Sequence, residues 1–132
     1  MTVESSRSNH LHVLVVDDEL LIRWSINEAL TAAGHVVTEA ENAAAAVGAV
    51  TNGVPPDVVI LDYRLPDSTD LTLLSKVREL APYAAVIFMT AFGSPDVVEG
   101  ALKLGAYRVL NKPFEVRDLP TLVLEAYASR SE

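Results

Sequence analysis

Four short segments carry side chains that can do chemistry together: Asp17-Asp18-Glu19, Asp62, Thr90-Ala91 and Asn111-Lys112-Pro113. Carboxylates gathered at one point repel, so a site built from Asp17, Asp18 and Asp62 needs a cation unless one of them is protonated. A hard, oxygen-seeking ion suits such a site, and Mg²⁺ binds through one or two carboxylates, waters and phosphate oxygens. With no cysteine in the chain and no histidine beside these segments, a zinc site has little support. A carboxylate beside Mg²⁺ can attack phosphorus and form an acyl phosphate. The ion and a lysine ammonium then neutralise charge on the equatorial oxygens, and a threonine hydroxyl can donate a hydrogen bond to one of them. Taken singly, each piece has a bland reading, since acidic residues after a strand often only cap the next helix.

A parallel sheet is what could bring these segments to one edge. Residues 11–16, 57–61 and 84–89 are short, β-branched and nearly all apolar, as strands buried on both faces are. Residues 35–39 and 107–110 are weaker strands, expected nearer the sheet edges. Helical patterns alternate with them. Ile22, Ile26, Ala29, Leu30 and Ala33 share one face ahead of Gly34, and Asn42 can cap the alanine-rich run 43–50, which stops before Pro55-Pro56. Leu71, Leu74 and Val77 form a third stripe that must end by Pro82. Ser94-Pro95 opens a fourth helix through Val98, Ala101 and Leu102 to Gly105, and the last runs from about 115 to 129 with Pro120 in its first turn. Strand then helix, five times over, implies a five-stranded parallel sheet covered on both faces, because each crossover is right-handed. Ligands of such sheets bind outside the carboxyl ends of the strands. The first strand ends at Asp17-Asp18-Glu19, the third at Asp62, the fourth at Thr90 and the fifth at Lys112.

The composition narrows the partners. The 132 residues carry 10 Lys+Arg against 18 Asp+Glu, a net charge of −8, and half are apolar. That describes one domain with a substantial core. Its charge disfavours direct contact with nucleic acid or anionic membranes. No apolar run approaches the roughly 18 residues of a membrane span. Residues 1–10 read as a flexible polar tail without the apolar stretch of a signal peptide, so a cytoplasmic protein is expected. The folded unit is expected over 11–129, with 130–132 as a C-terminal tail and no room for a DNA-binding output domain.

Val15-Val16-Asp17-Asp18-Glu19, Leu61-Asp62-Tyr63-Arg64-Leu65-Pro66-Asp67, Met89-Thr90-Ala91 and Lys112-Pro113-Phe114 together resemble the receiver (CheY-like) domain of two-component response regulators. The spacings are similar too: 45 residues from Asp17 to Asp62, 28 from Asp62 to Thr90 and 50 from Asp62 to Lys112. Residues 89–94 and 105–107 look most like receivers of nitrogen-regulation-type, sigma-54-dependent transcription activators. The resemblance implies a doubly wound (βα)5, flavodoxin-like three-layer sandwich. It implies Asp62 as phosphoacceptor from a sensor histidine kinase, and Mg²⁺ held by Asp17, Asp18, Asp62 and the backbone carbonyl of Arg64, with Asp18 the direct ligand ahead of Asp17. Thr90 becomes the switch hydroxyl and Lys112 the partner of the phosphoryl group, with a cis Lys112-Pro113 bond. Output passes to an attached domain or downstream protein, and pairing of active copies through the fourth helix, fifth strand and fifth helix is plausible on the same ground. Such a module is not an enzyme acting on a diffusible metabolite.

Two positions depart from the pattern. Asp-Gly usually precedes the third helix, where this chain has Thr69-Asp70, so a reshaped loop or a different helix start is expected. Three residues before the lysine, Val109 replaces the usual switch aromatic, and Tyr107 is expected on the same strand face, one pleat away. Phosphorylation with a muted or rerouted output is the expectation. A degenerate receiver that binds partners without phosphorylation is the alternative. A phosphohydrolase is disfavoured by Arg64 two residues after Asp62, where such enzymes place an aspartate, and a flavin carrier by the acidic first loop. Of the rest, Asp67 is expected to cap the helix beginning near Ser68, and Trp24 to be a partly exposed packing residue. His10, His12 and His35 are expected at the surface or a strand edge, and Arg23, Lys76, Arg78, Lys103 and Arg108 on a solvated face.

Overall fold

The computed structural model describes residues 10–91 and 93–130. Five strands, β1 (His12–Val16), β2 (Val36–Ala40), β3 (Val58–Asp62), β4 (Ala85–Thr90) and β5 (Arg108–Asn111), pair in parallel in the order β2-β1-β3-β4-β5. Helices α1 (Leu20–Ala32), α2 (Ala43–Asn52), α3 (Thr72–Leu80), α4 (Pro95–Lys103) and α5 (Leu119–Ser129) alternate with them. The two weaker strands are the edges, as expected.

Side-chain alternation along the strands divides the core in two. Leu14, Val16, Val59, Leu61, Val86 and Phe88 pack with α2, α3 and α4 on one face. Val13, Val15, Ile60, Ile87 and Met89 pack with Ile26 and Leu30 of α1 and with α5 on the other. Each fully buried Val, Leu or Ile contributes about 1.5–3 kcal/mol by leaving water. Ala33, the last of the expected α1 stripe, is exposed instead. Gly34 and Gly105 follow α1 and α4 at φ of +96° and +105°, conformations that a side chain would strain. Asn42 caps α2 through Ala45 N, and Ser94 caps α4 through Val97 N ahead of Pro95. A 3-10 turn at Val116–Asp118 precedes α5, so Pro120 falls in the first helical turn.

Several sequence expectations fail for identifiable reasons. Asp67 caps α2, not α3: its carboxylate accepts from Ala43 N at 2.8 Å and Ala44 N at 3.1 Å. The third helix starts at Thr72, where Asp70 Oδ1 accepts the Thr72 N–H at 2.9 Å. Asp70 therefore replaces a conformationally free glycine with a capping carboxylate, and no described non-glycine residue has a positive φ. Tyr107 lies before β5 begins and packs with the α1/α5 side, whereas Val109 packs with the opposite layer. His35 is buried, its Nδ1 accepting the Leu11 N–H at 3.1 Å. Arg23 and Arg78 leave the solvated face because main-chain carbonyls capture their guanidiniums, those of Asp17 and Ala84 respectively. Residues 1–9, 131 and 132 of the expected tails lie outside the described residues.

Candidate functional site

Parallel strands in register put their carboxyl ends at one edge, and the chemical residues are the last of, or the first after, four of them. Asp62 ends β3 and Thr90 ends β4, while Asp17 and Lys112 directly follow β1 and β5. Ladder bonds continue past the strands to hold them: Asp17 N donates to Ala40 O at 3.1 Å, Tyr63 N to Met89 O at 2.8 Å and Lys112 N to Thr90 O at 2.9 Å. Between β1 and β3 the connections change side, which makes this the topological switch point.

Asp17 is fully buried and Asp62 is 6% exposed, while Asp18 faces solvent. One carboxylate oxygen from each of the three lies within 4.8 Å of the others. Lys112 Nζ reaches Asp17 Oδ2 at 2.8 Å, Asp62 Oδ1 at 3.1 Å and Glu19 Oε1 at 3.3 Å. Asp17 Oδ1 also accepts the Glu19 N–H at 2.8 Å. Burial, then the Asp17 carboxylate, pushes Asp62 up to about 6; Lys112 only partly offsets them, and Asp18 adds to the push. Burial works against the Lys112 ammonium, yet its bond to Asp17 and the charges of Asp62 and Asp17 outweigh that and hold it above the ordinary lysine value. One ammonium among these carboxylates leaves the site short of positive charge, an oxygen-rich arrangement compatible with a divalent cation such as Mg²⁺. The open mouth, about 350 Å³, is lined by Asp18, Glu19, Asp62, Arg64, Ala91 and Lys112.

The structure thus gathers Asp17, Asp18, Asp62 and Lys112, sets Arg64 at the mouth, and buries Thr90 on the neighbouring strand, one step past the residue paired with Asp62. The Lys112-Pro113 bond is cis. Residues 13–124 match the response regulator receiver domain.

The chain belongs to that family.

This receiver is 37% identical to the DNA-binding transcriptional regulator NtrC of Escherichia coli, over 91% of the chain and 25% of that protein. It is 32% identical to sporulation initiation phosphotransferase F of Bacillus subtilis, over 81% of the chain and 86% of that protein. A CheY-like receiver from Methanospirillum hungatei superposes with a TM-score of 0.86 at 27% identity, covering 92% of this chain and 97% of the other. The receiver therefore spans about a quarter of the length of NtrC. Receivers are signalling domains of two-component response regulators rather than classical enzymes. No helix among the described residues is long and apolar enough to cross a membrane.

The sequence offers Glu19 only as part of the acidic segment and Arg23 only as a solvated charge, with no site role for either. Glu19 shares Lys112 with the two aspartates. Arg23 sits early in α1, and a long side chain there leans back toward the helix N-terminus, which here is the acidic loop.

Proposed function

We propose that Asp62 accepts a phosphoryl group from the phosphohistidine of a sensor histidine kinase, and that the state of Asp62 controls a downstream output. The observation that carries this is the Asp62 carboxylate at the sheet edge, 3.1 Å from Lys112 Nζ and grouped with the Asp17 and Asp18 carboxylates. Asp62 attacks phosphorus, the P–N bond to the imidazole breaks as the new P–O bond forms, and the freed imidazole leaves with its electron pair. Lys112 offsets charge on the phosphoryl oxygens, and the Thr90 hydroxyl is their hydrogen-bond donor. Asp18 and Asp62, with Asp17 and the Arg64 carbonyl, would hold Mg²⁺, which would supply positive charge to offset that of the phosphoryl oxygens. The same groups serve dephosphorylation when water replaces the donor, so the chain catalyses only its own modification.

The similarity to NtrC supports an attached or partner output in transcription, a cytoplasmic location and a unit covering residues 11–129. Active receivers would pair through α4, β5 and α5. A net charge of −8 argues against direct DNA contact by this domain. A phosphorylation-independent binding module is the competing reading, and Val109 favours it. Its other motive, Asp70, is weakened by the cap that Asp70 supplies to α3.

The test is incubation with Mg²⁺ and a small phosphodonor such as acetyl phosphate, read by intact mass. One added phosphoryl group is expected in the wild type and none in Asp62→Asn or without Mg²⁺. Equal modification of Asp62→Asn would overturn the assignment.

A further inference from the structure

Arg23 is unusually buried for a surface-helix arginine, with 11% of its side chain exposed. Its N–H groups divide between two acceptors. Nη1 donates to the main-chain carbonyl of Asp17 at 2.6 Å, and Nε donates to Glu39 Oε1 at 2.7 Å. Glu39 is held in turn: Asn27 Nδ2 donates to its other oxygen, and the Thr31 hydroxyl donates to Asn27 Oδ1 at 2.7 Å. A relay along α1 therefore clamps the end of β2 and, through the guanidinium fork, the first residue of the acidic loop.

Asp17 is consequently fixed on both sides of its main chain. Its N–H is held by Ala40 O at 3.1 Å and its C=O by Arg23. That carbonyl belongs to the Asp17-Asp18 peptide, a rigid plane, so the clamp sets the direction in which Asp18 leaves the loop. Both oxygens of Asp17 are engaged, by Glu19 N and Lys112 Nζ, which leaves the exposed Asp18 carboxylate as the more available cation ligand of the pair.

We propose that Arg23 is a positioning residue for the cation site: the guanidinium fork holds the Asp17-Asp18 peptide so that Asp18 meets Asp62 around the metal. The inference rests on the Mg²⁺-dependent reading above. Residues that orient metal ligands typically cost 10–100-fold in affinity when replaced. Electrostatics alone predicts the opposite sign, because removing a positive charge near a cation site tightens cation binding. Lysine keeps the charge but cannot bridge the Asp17 carbonyl and Glu39 as a planar fork does.

The experiment uses the full chain, with calorimetric titration of Mg²⁺ without phosphodonor and phosphorylation by acetyl phosphate across a Mg²⁺ series. For Arg23→Lys the Mg²⁺ dissociation constant is expected to rise about tenfold. The half-saturating Mg²⁺ should rise in step while the maximal rate at saturating Mg²⁺ is retained. Arg23→Gln should weaken Mg²⁺ binding as much or more. Unchanged Mg²⁺ affinity in Arg23→Lys, even with a lower melting midpoint in EDTA, would mean a purely structural role and would overturn the proposal. Tighter binding in Arg23→Gln would overturn it in favour of a charge effect. Arg23→Lys carries the test alone if the glutamine variant fails to fold. A wild type that neither binds Mg²⁺ nor takes a phosphoryl group would overturn the functional reading itself, an outcome separate from equal behaviour of wild type and variant.

Discussion

Replacing Asp62 by asparagine should make the metal-free protein more stable and the Mg²⁺-loaded protein relatively less so. The carboxyl is raised from 3.8 to about 6 in the fold. A raised carboxyl binds its proton more tightly folded than unfolded, so stability falls as pH climbs from 3.8 toward 6, and the full penalty stands at neutral pH. At 1.36 kcal/mol per pH unit the gap corresponds to about 3 kcal/mol. Asparagine removes the charge, keeps an oxygen for Lys112 and retains part of the desolvation cost, so a gain of about 1–2 kcal/mol is expected in EDTA. For a chain of this length that is a rise of roughly 4–10 °C in melting midpoint. Mg²⁺ at ten times its dissociation constant stabilises the wild type by about 1.4 kcal/mol. The variant, having lost a ligand, should gain much less, so the two midpoints converge or cross as Mg²⁺ is added. Thermal melts of both proteins in EDTA and across a Mg²⁺ series decide it. An Asp62→Asn midpoint at or below wild type in EDTA would refute the claim that the site is short of positive charge.

Lys112→Ala strips the ammonium from buried Asp17 and Asp62; a loss of about 3 kcal/mol in a neutral-pH denaturant melt and a phosphorylation rate lower by on the order of 100-fold are expected. His35 is held below the ordinary histidine value by burial, then by His10, so its fold contribution is lost as pH falls through the lowered value; His35→Gln, which keeps an acceptor for Leu11 N, should flatten the acid limb of a stability–pH profile. Asp70→Gly removes the acceptor for Thr72 N and should lower the melting midpoint rather than raise it, despite restoring the family's usual residue. Beryllofluoride with Mg²⁺ should shift backbone amide resonances around Asp62 while those of α4 move far less, because Val109 has no ring to reorient; equal shifts in both regions would refute this.

Element order, the edge strands and the four segments that meet were legible because hydrophobic period and strand ends depend on local sequence. Buried strands such as β3, apolar from Val58 to Leu61, announce themselves by that unbroken run, and parallel pairing then forces their ends together. Partnerships set by tertiary approach were not legible. Asp67 precedes a helix in sequence, and its neighbour in space is the start of a different one, 24 residues earlier. His35 next to an exposed edge strand gave no sign of burial, because its partner is the Leu11 N–H across the sheet. Arg23 looked like a helix-surface charge, since only the fold sets Glu39 opposite it and Asp17 O behind it. Tyr107 misled because a period-2 argument extends only as far as the strand, and the strand starts one residue later.

Several of these misses share a cause: groups able to do chemistry are legible by residue type, and the side chains that brace main chain around them or at helix ends are not. Asp62, Asp17 and Lys112 carry the carboxylates and the amine that the proposed chemistry needs, so residue identity points to them. Arg23, Asp67 and Asp70 bond main-chain groups, of Asp17, of α2 and of α3, which residue type alone does not pick out. The departures from the family pattern divide along the same line. Asp70 alters how α3 is capped, and Val109 alters the face that would report the reaction, while no departure touches the carboxylates or the lysine. Chemistry and readout can therefore vary separately in this receiver. Restoring an aromatic at position 109 should change what α4 senses without changing how fast Asp62 is modified.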